Sequence, residues 1–188
     1  MNLPNKLTIL RILLVPMLWI FMLIPGIPYA YLWALGVFML ASLTDLLDGR
    51  IARRQGTITD FGRFLDPLAD KMLVASVLIA LVADGYIGAL PVIIILMREF
   101  LVTSLRLIAA GEGRVIAANN WGKVKTVCQM ATIIALLLLY EPWVAALLPA
   151  GFPTQAITTA LVWGTVSITM ISGGLYLWLN RVLVNHRK

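Results

Sequence analysis

The chain has 188 residues, 61% of them hydrophobic and 13% charged, with a formal charge of +6. A soluble domain carries roughly 45–50% apolar and about 25% charged residues, so this chain cannot cover its apolar surface with polar side chains, and lipid is the solvent it suits. Its basic residues lie beside apolar runs rather than along one stripe interleaved with aromatics, which argues against a nucleic-acid-binding module.

At about 20 residues per span, the length allows roughly six transmembrane helices. The first apolar stretch, Leu7–Ile24, is broken by Pro25, Gly26 and Pro28. A signal-peptide reading, with Pro-Tyr-Ala as the cleavage site, is set aside because a second span, Tyr31–Arg53, follows almost at once. The third and fourth stretches, Phe64–Ala83 and Ile87–Ala110, are parted at Gly85 and Gly88. The fifth, Val124–Tyr140, precedes Pro142, Pro149 and Pro153, and the sixth is Ala156–Leu179. Thr158, Thr159, Gly164, Ser167, Ser172, Gly173 and Gly174 crowd the sixth and are read as close helix packing. The fold class expected is all-α, a six-transmembrane-helix bundle forming one domain over residues 1–188.

Cys128 is the only cysteine and His186 the only histidine. A disulfide within the chain, a Cys/His zinc site and a Ser-His-Asp hydrolase are thereby excluded.

Lys and Arg set the orientation. Lys6, Arg11, Arg53, Arg54, Arg63, Arg114, Lys123, Lys125, Arg181, Arg187 and Lys188 fall on one side, whereas the opposite loops hold Asp84 and Glu141 but no cation. The positive-inside rule puts both termini and the basic loops in the cytoplasm, and an even number of spans agrees. The absence of a transit peptide favours a bacterial plasma membrane.

The chemistry gathers at the cytoplasmic ends of spans two and three, in Asp45, Asp48, Gly49, Ala52, Arg53, Gly62, Asp66 and Asp70. At 100° per residue, Asp45, Asp48, Gly49 and Ala52 share an arc of roughly 100° on one helix. Gly62, Asp66 and Asp70 step by four and share a side of the next helix. A short hairpin brings two carboxylates from each helix into one cytoplasmic-facing cavity. Carboxylates this far into a span are expensive and functional, and an all-oxygen cluster selects a hard cation, Mg²⁺ or Mn²⁺. Solvated charges at helix ends would be the plain alternative for one or two aspartates; four at helical spacing exceed it. Gly49 and Gly62 leave room for a substrate against the backbone, or serve helix packing. Arg53 is a candidate phosphate partner or a membrane-boundary marker. A cation transporter would spread its acidic residues over several helices with access from both faces, unlike this one-sided cluster.

The order Asp-x-x-Asp-Gly-x-x-Ala-Arg, eight residues, Gly-x-x-x-Asp-x-x-x-Asp resembles the CDP-alcohol phosphotransferase motif at every fixed position. The resemblance implies a six-helix membrane enzyme that commonly forms homodimers. It implies that Asp45, Asp48, Asp66 and Asp70 ligate a metal pair, with Asp70 also the general base, and that Gly49, Ala52, Arg53 and Gly62 lie against the CDP group.

Acceptor choice lies outside that motif. Arg106, Arg114, Lys123 and Lys125 form a candidate basic pocket for a phosphorylated acceptor, with positive-inside topology as the alternative. Arg98, near the middle of span four, either pairs with Glu99 or an aspartate or lines the cavity. Asn5, Thr8 and Thr59 are possible substrate contacts; Asn5 and Thr8 could equally cap the first helix. The opening Leu-Pro-Asn-Lys-Leu-Thr-Ile-Leu-Arg, Asp66-Pro-Leu-Ala-Asp-Lys71, Met97-Arg-Glu99 and Gly122-Lys-Val-Lys-Thr126 resemble one bacterial branch of the family. Those members carry phosphatidyl from CDP-diacylglycerol to sn-glycerol 3-phosphate; relatives using inositol phosphate, serine or phosphatidylglycerol are the alternatives.

Overall fold

A computed structural model describes residues 3–55, 60–111 and 120–181, with backbone alone for 3–6, 45–55, 60–64 and 66. Its described residues form seven helices and no strand: α1 (Leu3–Leu23), α2 (Ala30–Gln55), α3 (Asp60–Ala83), α4 (Ala89–Gly111), α5 (Asn120–Leu139), α6 (Pro142–Leu147) and α7 (Thr154–Leu179). Six of these cover the six apolar stretches. α2 and α3 run past their apolar windows, to Gln55 and from Asp60, since charged residues at a helix end leave the backbone ladder intact. The short α6 is not foreshadowed by hydrophobicity. Proline at its start has no N–H to leave unsatisfied, and Leu148, extended before Pro149, ends it.

α5 and α7 are long and apolar enough to cross a membrane, and Leu7–Leu23 and Ala30–Thr44 are shorter apolar segments. Large apolar side chains such as Leu13, Met97, Val127 and Trp178 stay exposed, each by more than half of its surface. So much outward-facing apolar area suits lipid rather than water.

The chain divides into two compact units, one of residues 1–86 and 133–154, the other of 87–132 and 155–188. In the first, α1 packs on both α2 and α3, and α2 touches α3. Leu14, Leu18 and Met22 of α1, Ala34, Phe38 and Ala41 of α2, and Ala69, Leu73 and Val77 of α3 are buried at helical spacing. Gly26, at φ +88°, makes the reversal between α1 and α2, a backbone region costly for residues with a Cβ.

The N-terminus of α2 is capped from far along the chain. Glu141, 1% exposed, accepts hydrogen bonds at Oε2 from the backbone N–H of Tyr31 (3.1 Å) and Leu32 (3.2 Å). These donors lie in the first turn, where no intrahelical acceptor exists and the helix dipole favours negative charge. Tyr31 donates to Asp84 Oδ2 at 2.7 Å, its ring meets Tyr86 edge-on, and Tyr86 stacks on Tyr140. Asp84 and Glu141, the only charges read on the cation-free side, are thus structural. Glu141→Ala strands one buried and one part-buried donor and should cost about 1–3 kcal/mol, measured as a lower midpoint of thermal unfolding in detergent.

In the second unit, α4 buries Val92, Ile95, Glu99, Val102 and Ala109. α7 buries Thr158, Val162, Thr165, Thr169, Ser172, Gly173 and Tyr176. Thr132 of α5 and Thr165 of α7 share a hydrogen bond of 2.8 Å. The packing role read for the small residues of α7 therefore holds for Thr158, Ser172 and Gly173. Thr159, Gly164, Ser167 and Gly174 face outward instead, and the Thr159 and Ser167 hydroxyls donate to carbonyls one turn back.

Candidate functional site

The aspartate motif lies on two long helices of the first unit. Asp45, Asp48, Gly49, Ala52 and Arg53 all belong to α2, and Gly62, Asp66 and Asp70 to α3. Neither helix breaks within the motif, although Pro67 sits between the α3 aspartates. The helical spacing assumed from sequence is therefore the spacing of the backbone. The side chains of Asp45, Asp48, Gly49, Ala52, Arg53, Gly62 and Asp66 lie outside the described residues, as does the whole of Thr59.

Asp70 is described in full. It borders the buried stripe of α3, beside Ala69 at 0% exposure, yet its own side chain is 48% exposed. Lys71 Nζ donates to Asp70 Oδ2 at 3.3 Å. A carboxylate so placed can meet a ligand without unpacking the helix. Its oxygen donors, with the three other aspartates of the motif on the same two helices, suit a hard divalent cation; among the described residues alone, no three such ligands gather.

α1 contributes an enclosed polar pair, of which the sequence reading named Thr8 as a possible substrate contact but took Arg11 only for a topology signal. Thr8 and Arg11 are both 0% exposed, one helical turn apart on the stripe that continues through Leu14 and Leu18. Thr8 lies well inside α1, so it does not cap that helix, and Asn5, whose side chain is outside the described residues, also falls within it. Arg11 is more than a marker of the membrane boundary, because a fully enclosed guanidinium must be compensated within the protein. The tight reversal at residues 24–29 makes α1 and α2 antiparallel, so this polar pair sits toward the motif end of the hairpin. A charge within four residues of an apolar helical stripe was the available signal.

The cations named for an acceptor all belong to the second unit, and Arg114 lies outside the described residues. Arg106 is exposed, with its guanidinium over the Tyr176 ring, 5.8 Å from the centroid. Lys123 is exposed but Lys125 is 5% exposed. Two residues along a helix turn by about 200°, so these lysines cannot act as an adjacent pair. Lys125 Nζ donates to Glu99 Oε1 at 2.7 Å, and Arg98 Nη1 donates to the same oxygen at 2.9 Å. Arg98 Nη2 donates to Ser172 at 2.8 Å. Arg98 thus pairs with Glu99, one of the alternatives left open above. Arg98 is the tenth of the 23 residues of α4, near its middle as read from sequence, and Lys125 comes to the same Glu99 oxygen from five residues into α5.

The model of the CDP-alcohol phosphatidyltransferase family matches residues 1–172. The chain is 44% identical over 186 residues to a Bacillus subtilis CDP-diacylglycerol–glycerol-3-phosphate 3-phosphatidyltransferase, covering 93% of each chain. A protein of the same name from Pseudomonas fluorescens is 40% identical over 185 residues, covering 95% of this chain and 86% of the relative. A rice cardiolipin synthase (CMP-forming) is 36% identical over 192 residues, covering 95% of this chain and 55% of the relative. The eight fixed residues of the aspartate motif, carried on two unbroken helices, and a match across most of the length lead to one statement: this chain belongs to the CDP-alcohol phosphatidyltransferase family.

Proposed function

We propose that the chain transfers the phosphatidyl group of CDP-diacylglycerol to sn-glycerol 3-phosphate, giving phosphatidylglycerophosphate and CMP. The observation that carries this reading is the 44% identity over 186 residues to a relative named for that reaction. The full aspartate motif supports the shared chemistry, and the rice relative supports phosphatidylglycerol as a second acceptor to be tested.

The acceptor hydroxyl oxygen forms a new bond to the phosphorus that carries diacylglycerol. The bond from that phosphorus to the bridging pyrophosphate oxygen breaks, and CMP departs with its electron pair. Asp70 takes the hydroxyl proton, a role open to a half-exposed carboxylate. Enzymes of this family generally use divalent metals; Asp45, Asp48, Asp66 and Asp70 would hold two ions, Mg²⁺ or Mn²⁺, which neutralise pyrophosphate charge when bound. Gly49, Ala52, Arg53 and Gly62 seat the CDP group. Arg106, Arg114 and Lys125 attract the acceptor phosphate, Lys123 on another face of α5 adds positive charge at the same helix end, and Asn5, Thr8, Thr59 and Arg98 are candidates for further contacts.

The chain is read as one domain of six spans, homodimeric, in a bacterial plasma membrane with its termini and cavity cytoplasmic. The diacylglycerol tails then stay in the bilayer, and CMP leaves into water. Purified protein in mixed micelles with CDP-diacylglycerol and Mg²⁺ should release CMP on addition of glycerol 3-phosphate. Turnover with phosphatidylglycerol, serine or inositol phosphate, and silence with glycerol 3-phosphate, would reject the acceptor while keeping the reaction class.

A further inference from the structure

Apart from Arg98, Glu99 is flanked along α4 by apolar residues, and it is 4% exposed. A carboxylate in such a place must be compensated or it would not stay ionised. One oxygen, Oε1, takes hydrogen bonds from Lys125 on α5 and from the adjacent Arg98. Arg98 is itself clamped: its second terminal nitrogen reaches Ser172 of α7, and its stem lies where a Cβ on Gly173 would come within 2.9 Å of Cγ. Three helices are thus tied at one level. The register agrees, because Lys125 and Ser172 each lie seven residues, two turns, from the Thr132–Thr165 bond that joins α5 to α7.

Among the described residues, two cations share this one carboxylate oxygen. A lysine ammonium sits on a flexible four-carbon stem and loses more rotamer freedom on being fixed than most side chains. A donor already held in place binds an anion without that loss, which is the general advantage of preorganisation.

We propose that Glu99 is a positioning residue for the acceptor: it fixes the Lys125 ammonium, with Arg98 braced beside it, for the phosphate of glycerol 3-phosphate. This rests on the reading that Lys125 serves the acceptor phosphate. Glu99 acts only through that cation and touches no reacting atom.

The test is a double-mutant cycle in the purified full-length enzyme, with glycerol 3-phosphate and CDP-diacylglycerol varied separately. Glu99→Gln should raise the acceptor KM about tenfold, the scale of one hydrogen bond between charged groups, with the donor KM and kcat changed far less. Lys125→Met should raise the acceptor KM by at least as much. The double variant should be no worse than Lys125→Met alone, because nothing remains for Glu99 to position, and Glu99→Asp should recover part of the loss. Effects that multiply in the double variant would overturn the proposal. So would an equal decline in all parameters, or a failure of both Glu99→Gln and Glu99→Asp to give folded protein, either of which would make Glu99 a structural residue. An acceptor KM unchanged in Lys125→Met would instead remove Lys125 from the acceptor site, and the proposal with it. An unsubstituted enzyme that ignores glycerol 3-phosphate would fail the substrate assignment itself.

Discussion

Asp70→Asn should lower turnover by about 10³-fold or more, within the range for removal of a positioned general base and larger where a metal ligand is weakened as well, while the protein folds normally. The amide keeps the shape and one oxygen but cannot accept the hydroxyl proton. Folding should be spared because the side chain is 48% exposed and its described partner is its neighbour Lys71, a setting in which substitutions usually change stability by about 0.5 kcal/mol or less. CMP release measures the loss, and thermal unfolding in detergent checks the fold. Mn²⁺ affinity, measured in parallel, separates the two roles proposed for Asp70. A small change in affinity beside a large loss of turnover supports the base. A fully active Asp70→Asn would remove that assignment.

Chelation of divalent metal should bring CMP release to background, with Mg²⁺ or Mn²⁺ restoring it. The four motif carboxylates, gathered as proposed, would repel one another unless a cation neutralised them, so metal should stabilise the fold as well as support turnover. At about 100 times the dissociation constant, a ligand bound only by the folded state adds roughly 2.7 kcal/mol, visible as a higher unfolding midpoint. Asp45→Asn, Asp48→Asn and Asp66→Asn should each shrink that metal-dependent rise. A midpoint indifferent to Mg²⁺ and Mn²⁺, or unaltered in all three variants, would contradict the aspartates as ligands even if activity were lost.

Six of the described helices were legible from apolar windows because each carries a long, nearly uniform run of apolar residues. α6 escaped because six residues between prolines carry no period to read. The motif was the most legible feature of all: Asp45 to Arg53 and Gly62 to Asp70 each lie within a single helix, so sequence spacing translates directly into a shared side. The same helical rule sets Lys123 and Lys125 on different faces of α5, so their separation too is written in the spacing. Arg11 was a different matter. As a cation near the start of an apolar run it looks like a topology signal, and only the packing of α1 on α2 and α3 reveals that it is enclosed.

By itself the sequence determined the solvent, the number of long helices and the family, since composition, periodicity and motif spacing are local properties written along one strand of chain. Tertiary structure alone decided which polar groups meet. Glu141 caps a helix that begins more than a hundred residues earlier, and Glu99 gathers Lys125 and Arg98 at one oxygen. The physical reason is that a buried polar group must find a partner wherever the fold supplies one, and no local pattern records where that will be.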